Sequence, residues 1–275
     1  MKFVSYWHSL KKKCIVRAKF GRLVIIQSIR TSLSRVIWLG LNMFTEDFYT
    51  RSGKNYIFSK QQGSDFAKEI AGDFNPLHDV DNSRFCIPGD LLFSVMLSQF
   101  GVNKQMHFDF QGMISGDMPI HFSSSDESIV AKNDKDKTVL SLNKSGGVNK
   151  DKVFTEGLIR SYVAFSGKTF PHIIIQLMKE KDVMINTRKP MVIYDQMSLS
   201  FETFSDVAPE VLLKNCDFDV NGKRGVVTMN FDITANDELI GTGEKKIIMS
   251  SLRPYEQSEI DYLVDTYNSA KAKFA

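Results

Sequence analysis

The sequence predicts an α+β protein in which two long helices are each wrapped by an antiparallel β-sheet, with a further helix at the end of the chain. Three observations carry this. Leu91 to Phe100 is apolar almost all round, which a helix shows only when it is buried on every side. Alternating stretches follow it, with Met106, Phe108 and Phe110 flanking His107 and Asp109, then Met118, Ile120 and Phe122 at the same period of two. The same order, helix then strands, recurs in the second half of the chain.

Residues 1 to 42 differ in composition from the rest of the chain. They hold nine of the 35 Lys and Arg and none of the 32 Asp and Glu. Residues 43 to 275 therefore carry 26 basic against 32 acidic residues, a net charge of −6 that the whole-chain value of +3 conceals. Ile26, Ile29, Leu33, Val36 and Ile37 recur at helical spacing, but Arg30, Ser34 and Arg35 interrupt a run already too short to span a bilayer. Three readings compete. The segment is a basic amphipathic extension on an anionic membrane surface with Trp38 at the interface, an Arg- and Ser-rich targeting segment, or upstream sequence that is not translated, with Met43 opening a chain of ordinary globular composition. All three place it outside the fold, and any membrane contact is expected through these residues alone.

From Met43 onward the chain is long enough for a sizeable core. Ser64 is expected to cap a first helix that carries Phe66 and Ile70 on one face and ends at a left-handed Gly72. The apolar helix comes next, and Gly101 stops it. Beyond the strands already named, Asn133-Asp134-Lys135-Asp136-Lys137 is a polar turn between Ile129-Val130 and Val139, Leu140 and Leu142. Val153 to Phe165 reads as another strand and closes a first half, 43 to 165. In the second half, 166 to 275, Phe170, Ile173, Ile174, Leu177 and Met178 trace an amphipathic helix. Met197, Leu199 and Phe201 alternate with polar neighbours, Asn221-Gly222 signals a hairpin between 211–220 and 225–234, and Leu239 to Ser250 is the last strand. Ser258 to Lys273 is expected as a terminal helix packed through Ile260, Leu263, Val264 and Tyr267.

Titratable groups, a fixed turn and a helix end coincide at Ala71-Gly72-Asp73-Phe74-Asn75-Pro76-Leu77-His78. Asp73 lies just past the helix end, and Asn75-Pro76 fixes a turn because proline sets its own φ and drives the preceding residue out of the helical region. Such a turn can bring His78 beside Asp73, where carboxylate and imidazole can share one water for general acid–base chemistry. The competing reading is structural: Asp73 and Asn75 bond their own backbone and His78 is a loop histidine.

Gly72 to His78 resembles the G-D-x-N-P-[ILV]-H signature of the MaoC-like, (R)-specific enoyl-CoA hydratases. The likeness continues through Ile87-Pro88-Gly89-Asp90-Leu91-Leu92-Phe93-Ser94 and covers about residues 57 to 165. The chain also resembles an uncharacterised bacterial branch that carries the motif. The resemblance implies a hotdog fold, here a double hotdog in which one chain makes the pseudo-dimer that shorter relatives make from two, present as a monomer or as a homodimer. It implies Asp73 and His78 as the catalytic pair, Gly89 as the residue whose N–H meets the thioester carbonyl, Ser94 near the pair, and Asn75 holding the turn or the water. The implied reaction is reversible hydration of a trans-2-enoyl thioester to a 3-hydroxyacyl thioester, a carbon–oxygen lyase reaction. No cofactor is expected beyond the coenzyme A or acyl carrier protein that forms part of the substrate. A helix N-terminus suits this role, since its free N–H groups stabilise developing negative charge, and Asp90 is expected there as a capping or dipole-complementing residue. The second half lacks the signature, so one site per chain is expected, with the second half as its wall. Two departures stand out: the stretch from His78 to Gly89 is several residues shorter than in those hydratases, and Asp90 replaces a usually apolar residue.

Cys14, Cys86 and Cys216 are odd in number and scattered, which predicts a reducing, cytoplasmic setting without a disulfide framework. No metal-ligand spacing is present, and His107 and His121 read as structural. An acidic folded part without an aromatic-basic stripe argues against nucleic acid. Lys132, Lys135, Lys137, Lys144, Lys150 and Lys152 could meet carrier phosphates, but Asp134, Asp136 and Asp151 among them favour a solvated face. The alternative from a different class is a non-catalytic acyl-thioester binding or interaction protein whose shortened loop has closed the site. An open pocket at Asp73 and His78 favours the enzyme, and a filled one the binding role. Thioester hydrolysis is a third reading, with Asp90 its candidate acid.

Overall fold

The computed structural model describes residues 43–274. The three readings of residues 1 to 42 lie outside the described residues. The first half opens with strands β1 (Thr50–Ser52) and β2 (Asn55–Ile57) and helix α1 (Lys60–Asp65), which runs on into a π-helical stretch, Phe66–Ala71. Helix α2 (Gly89–Phe100) comes next, then β3 (Val102–Phe110), β4 (Pro119–Ser124), β5 (Ser128–Asn133) and β6 (Thr138–Asn149). After these stand helices α3 (Lys152–Gly167) and α4 (Ile174–Glu180) and the short strand β7 (Val183–Met184). The chain then forms β8 (Met191–Phe201), β9 (Glu210–Asn221), β10 (Arg224–Ala235), β11 (Glu238–Ser250), β12 (Arg253–Pro254) and the terminal helix α5 (Gln257–Phe274).

A ten-stranded sheet runs in the order β1-β2-β4-β5-β6-β3-β8-β11-β10-β9, and its neighbours all pair antiparallel. Outward from the β3–β8 seam, each half repeats one plan: its first long strand at the seam, then its last, third and second. Helices α2 and α3 pack against each other and against the sheet. Phe93 of α2 packs on Phe108 of β3 (ring centroids 5.2 Å) and on Tyr162 of α3 (4.8 Å), and Tyr162 packs on Phe231 of β10 (5.8 Å). The protein is a double hotdog, with α2 and α3 as the two wrapped helices.

Most expected elements are in place. Leu91 to Leu97 is buried throughout, and Gly101 ends α2 with φ 83°. The β9–β10 hairpin turns through Gly222 (φ 59°), with Asn221 already paired to Arg224. Helix α5 buries Ile260 and Tyr267 and rests Leu263 and Val264 on the core.

Three expectations fail. Val153 to Phe165 is the helix α3, not a strand. Its β-branched and aromatic residues imitate a strand, yet Phe154, Leu158, Ile159, Tyr162, Val163 and Ser166 fall on one helical face, and Asp151 caps it by accepting from Phe154 N–H (2.9 Å). This helix runs across the boundary drawn between 165 and 166. The expected helix over 170 to 178 is reduced to α4, because Phe170 before Pro171 sits at φ −112°, ψ 137°, outside the helical region. Finally, Ser59 rather than Ser64 caps α1. Ser59 Oγ accepts from Gln62 N–H and the Gln62 side chain accepts from Ser59 N–H, both at 3.1 Å, a capping box that leaves Ser64 buried within the helix.

Candidate active site

The π-helical stretch ends at Gly72 with φ 65°, a conformation glycine enters without strain. Asp73 N–H donates to Ala67 O (2.8 Å), which fixes Asp73 at the helix end. The motif then ties itself together. Asn75 N–H donates to Asp73 Oδ1 (2.9 Å), and Asn75 Oδ1 accepts from Leu77 N–H (3.1 Å) as the cap of a 3₁₀ turn, Pro76–His78. Asn75 therefore holds the turn. The short loop folds back on it, with the Asn82 side-chain amide donating to Pro76 O (2.8 Å) and Cys86 N–H to Leu77 O (3.1 Å).

That fold-back sets the histidine. His78 Nδ1 lies 2.9 Å from Cys86 O, an acceptor, so Nδ1 carries a proton. Nε2 faces Asp73 Oδ2 at 3.8 Å, beyond a direct hydrogen bond. The side chains keep limited access to solvent, 12% exposed for His78 and 26% for Asp73. Burial opposes the charge on His78, but the Cys86 side chain and the Asp73 carboxylate, with a smaller part from the Cys86 carbonyl, outweigh it and raise its pKa to about 9. Burial also lifts the Asp73 carboxyl above its ordinary value, against the pull of His78 and the Asn75 N–H. With a pKa of about 9 the imidazole holds its second proton at neutral pH, beside an Asp73 carboxyl of increased basicity.

Helix α2 begins at Gly89 after Pro88, and no side chain caps it. Leu91 N–H donates to Pro88 O (3.1 Å), so only the N–H groups of Gly89 and Asp90 precede the first bond of the helix. Gly89 also has a packing reason to be glycine. A Cβ there would stand 3.1 Å from the Phe110 ring, which is stacked on Tyr194 with centroids 4.0 Å apart. Ser94 is fully buried, and its hydroxyl donates to Asp90 O (2.6 Å) within the helix. Its proton is thereby committed, and no hydrogen bond joins it to the pair.

The second half brings residues that the sequence pattern did not single out. Asp90 turns toward α3, where Ser166 Oγ donates to Asp90 Oδ2 (2.5 Å), and the Lys245 ammonium from β11 donates to Ser166 Oγ. Asp90 Oδ1 is buried without a hydrogen-bond partner. Lys245 is 4% exposed, with its Nζ 4.1 Å from the Tyr194 ring centre, and the Tyr162 and Tyr194 hydroxyls bond each other alongside. Burial pulls the Lys245 pKa down, while Asp90 and Asp73 pull it up. The available signal was parity: Lys245 shares its sheet face with Ile247 and Met249, both buried. Helix α5 completes the surroundings. Tyr267 Oη donates to Gly72 O (3.0 Å), and Phe74 sits against the Tyr267 and Phe274 rings (5.9 and 5.6 Å).

Two open cavities are lined elsewhere. One, about 870 Å³, crosses the β3–β8 seam past His107 and Ser198, and the other, about 600 Å³, lies along α5 past Lys68, Asp79 and Lys273. Neither is lined by Asp73 or His78. His107 is held by Ser198 Oγ (2.8 Å) and Asp109 (3.3 Å). Among the described residues no cluster of His, Cys, Asp and Glu could hold a metal, and no helix is long and apolar enough to cross a membrane. Cys86 and Cys216 are free thiols.

The family described as "Protein of unknown function (DUF3581)" matches residues 43–258, and the chain belongs to it. No curated protein matches. Among solved structures the chain is similar to a conserved protein of unknown function with a hot dog fold from Alicyclobacillus acidocaldarius, at 8% identity and TM-score 0.44, covering 78% of this chain and 100% of that one. It is similar to a putative thioesterase II from Thermobifida fusca, at 10% identity and TM-score 0.43, covering 76% and 98%. It is also similar to a MaoC-like dehydratase, at 8% identity and TM-score 0.37, covering 76% and 99%.

Proposed function

We propose that the protein processes acyl thioesters, and that its reaction is the reversible hydration of a trans-2-enoyl thioester carried on coenzyme A or acyl carrier protein. The observation that carries this is the Asp73–His78 pair. Nδ1 is anchored on Cys86 O, while Nε2 and Asp73 Oδ2 face each other across 3.8 Å, a spacing at which both can hold one water. Asp73 takes a proton from that water as its oxygen attacks the β-carbon. The displaced electron pair moves through the conjugated system to the thioester oxygen, which the free N–H groups at the start of α2 stabilise. The His78 imidazolium then gives its Nε2 proton to the α-carbon. Exchange with solvent returns the proton from Asp73 and restores the one on His78.

Two observations favour other readings. Asp90 stands at the head of the wrapped helix with one carboxylate oxygen unpartnered, which suits a carboxylate acting in thioester hydrolysis. Neither open cavity is lined by the pair, and Phe110 with Tyr194 fills the space over Gly89, which suits a binding role. We favour hydration because one Asp90 oxygen is held by Ser166, itself bonded by Lys245, whereas Asp73 and His78 are aimed at one point. The test is a panel of trans-2-enoyl thioesters on both carriers with the full chain. Loss of the conjugated-enoyl absorbance is expected. Release of free thiol instead supports hydrolysis, and binding without turnover supports the binding role.

A further inference from the structure

The two halves meet at a buried run of charge that the proposed reaction does not use. Asp90 from α2, Ser166 from α3 and Lys245 from β11 form one hydrogen-bonded chain between the wrapped helices and the sheet. We propose that Lys245 is a positioning residue of the active site, supplied by the second half: through Ser166 it holds the Asp90 carboxylate turned from the start of α2 and balances its charge, leaving Asp73 as the carboxylate that acts. This rests on reading Asp73 and His78 as the reacting pair.

The argument is electrostatic and geometric. Asp90 directly follows Gly89, where a thioester oxygen would gain negative charge, and an unbalanced carboxylate there opposes that charge. One Asp90 oxygen has Ser166 as its donor and the other has none, so the charge depends on Lys245 behind the serine. A buried carboxylate without such balance is strongly disfavoured. The same balance reaches Asp73, whose carboxyl Asp90 pushes up in pKa and Lys245 pulls down. The charged and titratable groups around Lys245 are Asp90 on α2, Tyr162 on α3, Tyr194 on β8 and Asp73 in the motif. Around Asp73 they are His78, Asp90, Lys245 and Tyr267 of α5. A purely structural clasp would lower stability on breaking but would leave the titration of Asp73 where it was.

The experiment follows the Asp73 carboxyl by carbon-13 NMR, a readout that needs no turnover, alongside the acid limb of the hydration profile. In Lys245→Met the Asp73 titration is expected to move up, as for loss of an opposite charge. In Asp90→Asn it is expected to move down, and in the double variant back toward wild type. Asp90→Asn, nearly isosteric, keeps the test alive if Lys245→Met fails to fold. An Asp73 titration unmoved in the folded single variants overturns the proposal. Titrations that move as expected in a protein that does not hydrate enoyl thioesters uphold the charge assignment and sink the hydratase reading alone.

Discussion

The two wrapped helices are reached by connections of very different length. Residues 58–88 precede α2, room enough for the Asp73–His78 turn, and Pro88 brings no side chain to the helix start. Only Lys150 and Asp151 separate β6 from α3, and there Asp151 accepts from Phe154 N–H at 2.9 Å. The four strands nearest the seam follow the same plan in both halves, and the first half alone adds β2 and β1 beyond them. The connections into the two helices differ as well. Leu91 N–H at α2 is taken by Pro88 O (3.1 Å) as Phe154 N–H at α3 is taken by the Asp151 side chain, so what the longer connection adds is the turn that carries Asp73 and His78.

The most severe way to break this difference is to disable the pair itself. Asp73→Asn and His78→Asn each remove one proton-transfer group without changing side-chain volume much. Hydration by either variant is expected to fall by roughly 10²–10⁴. Circular dichroism should stay near wild type in both, while the melting temperature of His78→Asn should fall because it loses the charge interaction with Asp73 and the contact with Cys86 O. Full turnover in both would return the motif to a structural turn.

Proton accounting gives the next effect. In the proposed reaction His78 is the acid only while it carries its proton, and its pKa is raised to about 9 by the Cys86 side chain and the Asp73 carboxylate against the opposing effect of burial. The rate constant for hydration should therefore fall as pH rises through about 9, roughly tenfold per pH unit beyond it. On the acid side it should fall where Asp73 takes a proton, above the usual carboxylate range because burial lifts that group. A profile flat through the alkaline limb would exclude the imidazolium as proton donor.

Much of this comparison was legible in the sequence, and the rest was hidden for identifiable reasons. Gly72, Asp73, Asn75 and His78 act locally, through turn chemistry that spacing alone encodes. Helix α2 was readable because its burial leaves no polar face. Helix α3 was not, because Val153, Thr155, Ile159 and Val163 raise strand propensity while tertiary packing on Phe93 and Phe231 decides for helix. Lys245 was missed for another reason. A lysine among alternating residues is read as outward, and only its parity with Ile247 and Met249 marked it as buried. Its partners Ser166 and Asp90 lie 79 and 155 residues away in sequence, beyond any local pattern.

Gly89 tests the helix start more gently. In Gly89→Ala the new methyl would meet Phe110 ring atoms at 3.1 and 3.2 Å and Tyr194 at 3.4 Å, so the aromatic stack must shift. Overpacking of this kind costs about 1–3 kcal/mol. A lowered denaturation midpoint together with reduced turnover is expected, with the turnover loss persisting well below the melting temperature if the first N–H groups bind the thioester oxygen. Stability loss without a change in rate would assign Gly89 to packing alone.

The smallest effect belongs to the other helix. Asp151→Ala removes the side-chain acceptor for Phe154 N–H and nothing that faces the pair. The expected cost is about 1 kcal/mol of stability, the ordinary size for an N-cap, measured by denaturant unfolding. Hydration should be unchanged at temperatures where the protein is folded, because α3 begins at a start that is already closed. A rate that falls with the cap would mean that α3 transmits its position to the site. The chain for that transmission is already present, since Ser166 near the far end of α3 holds Asp90. The two halves would then differ in which groups they present while sharing control of one reaction.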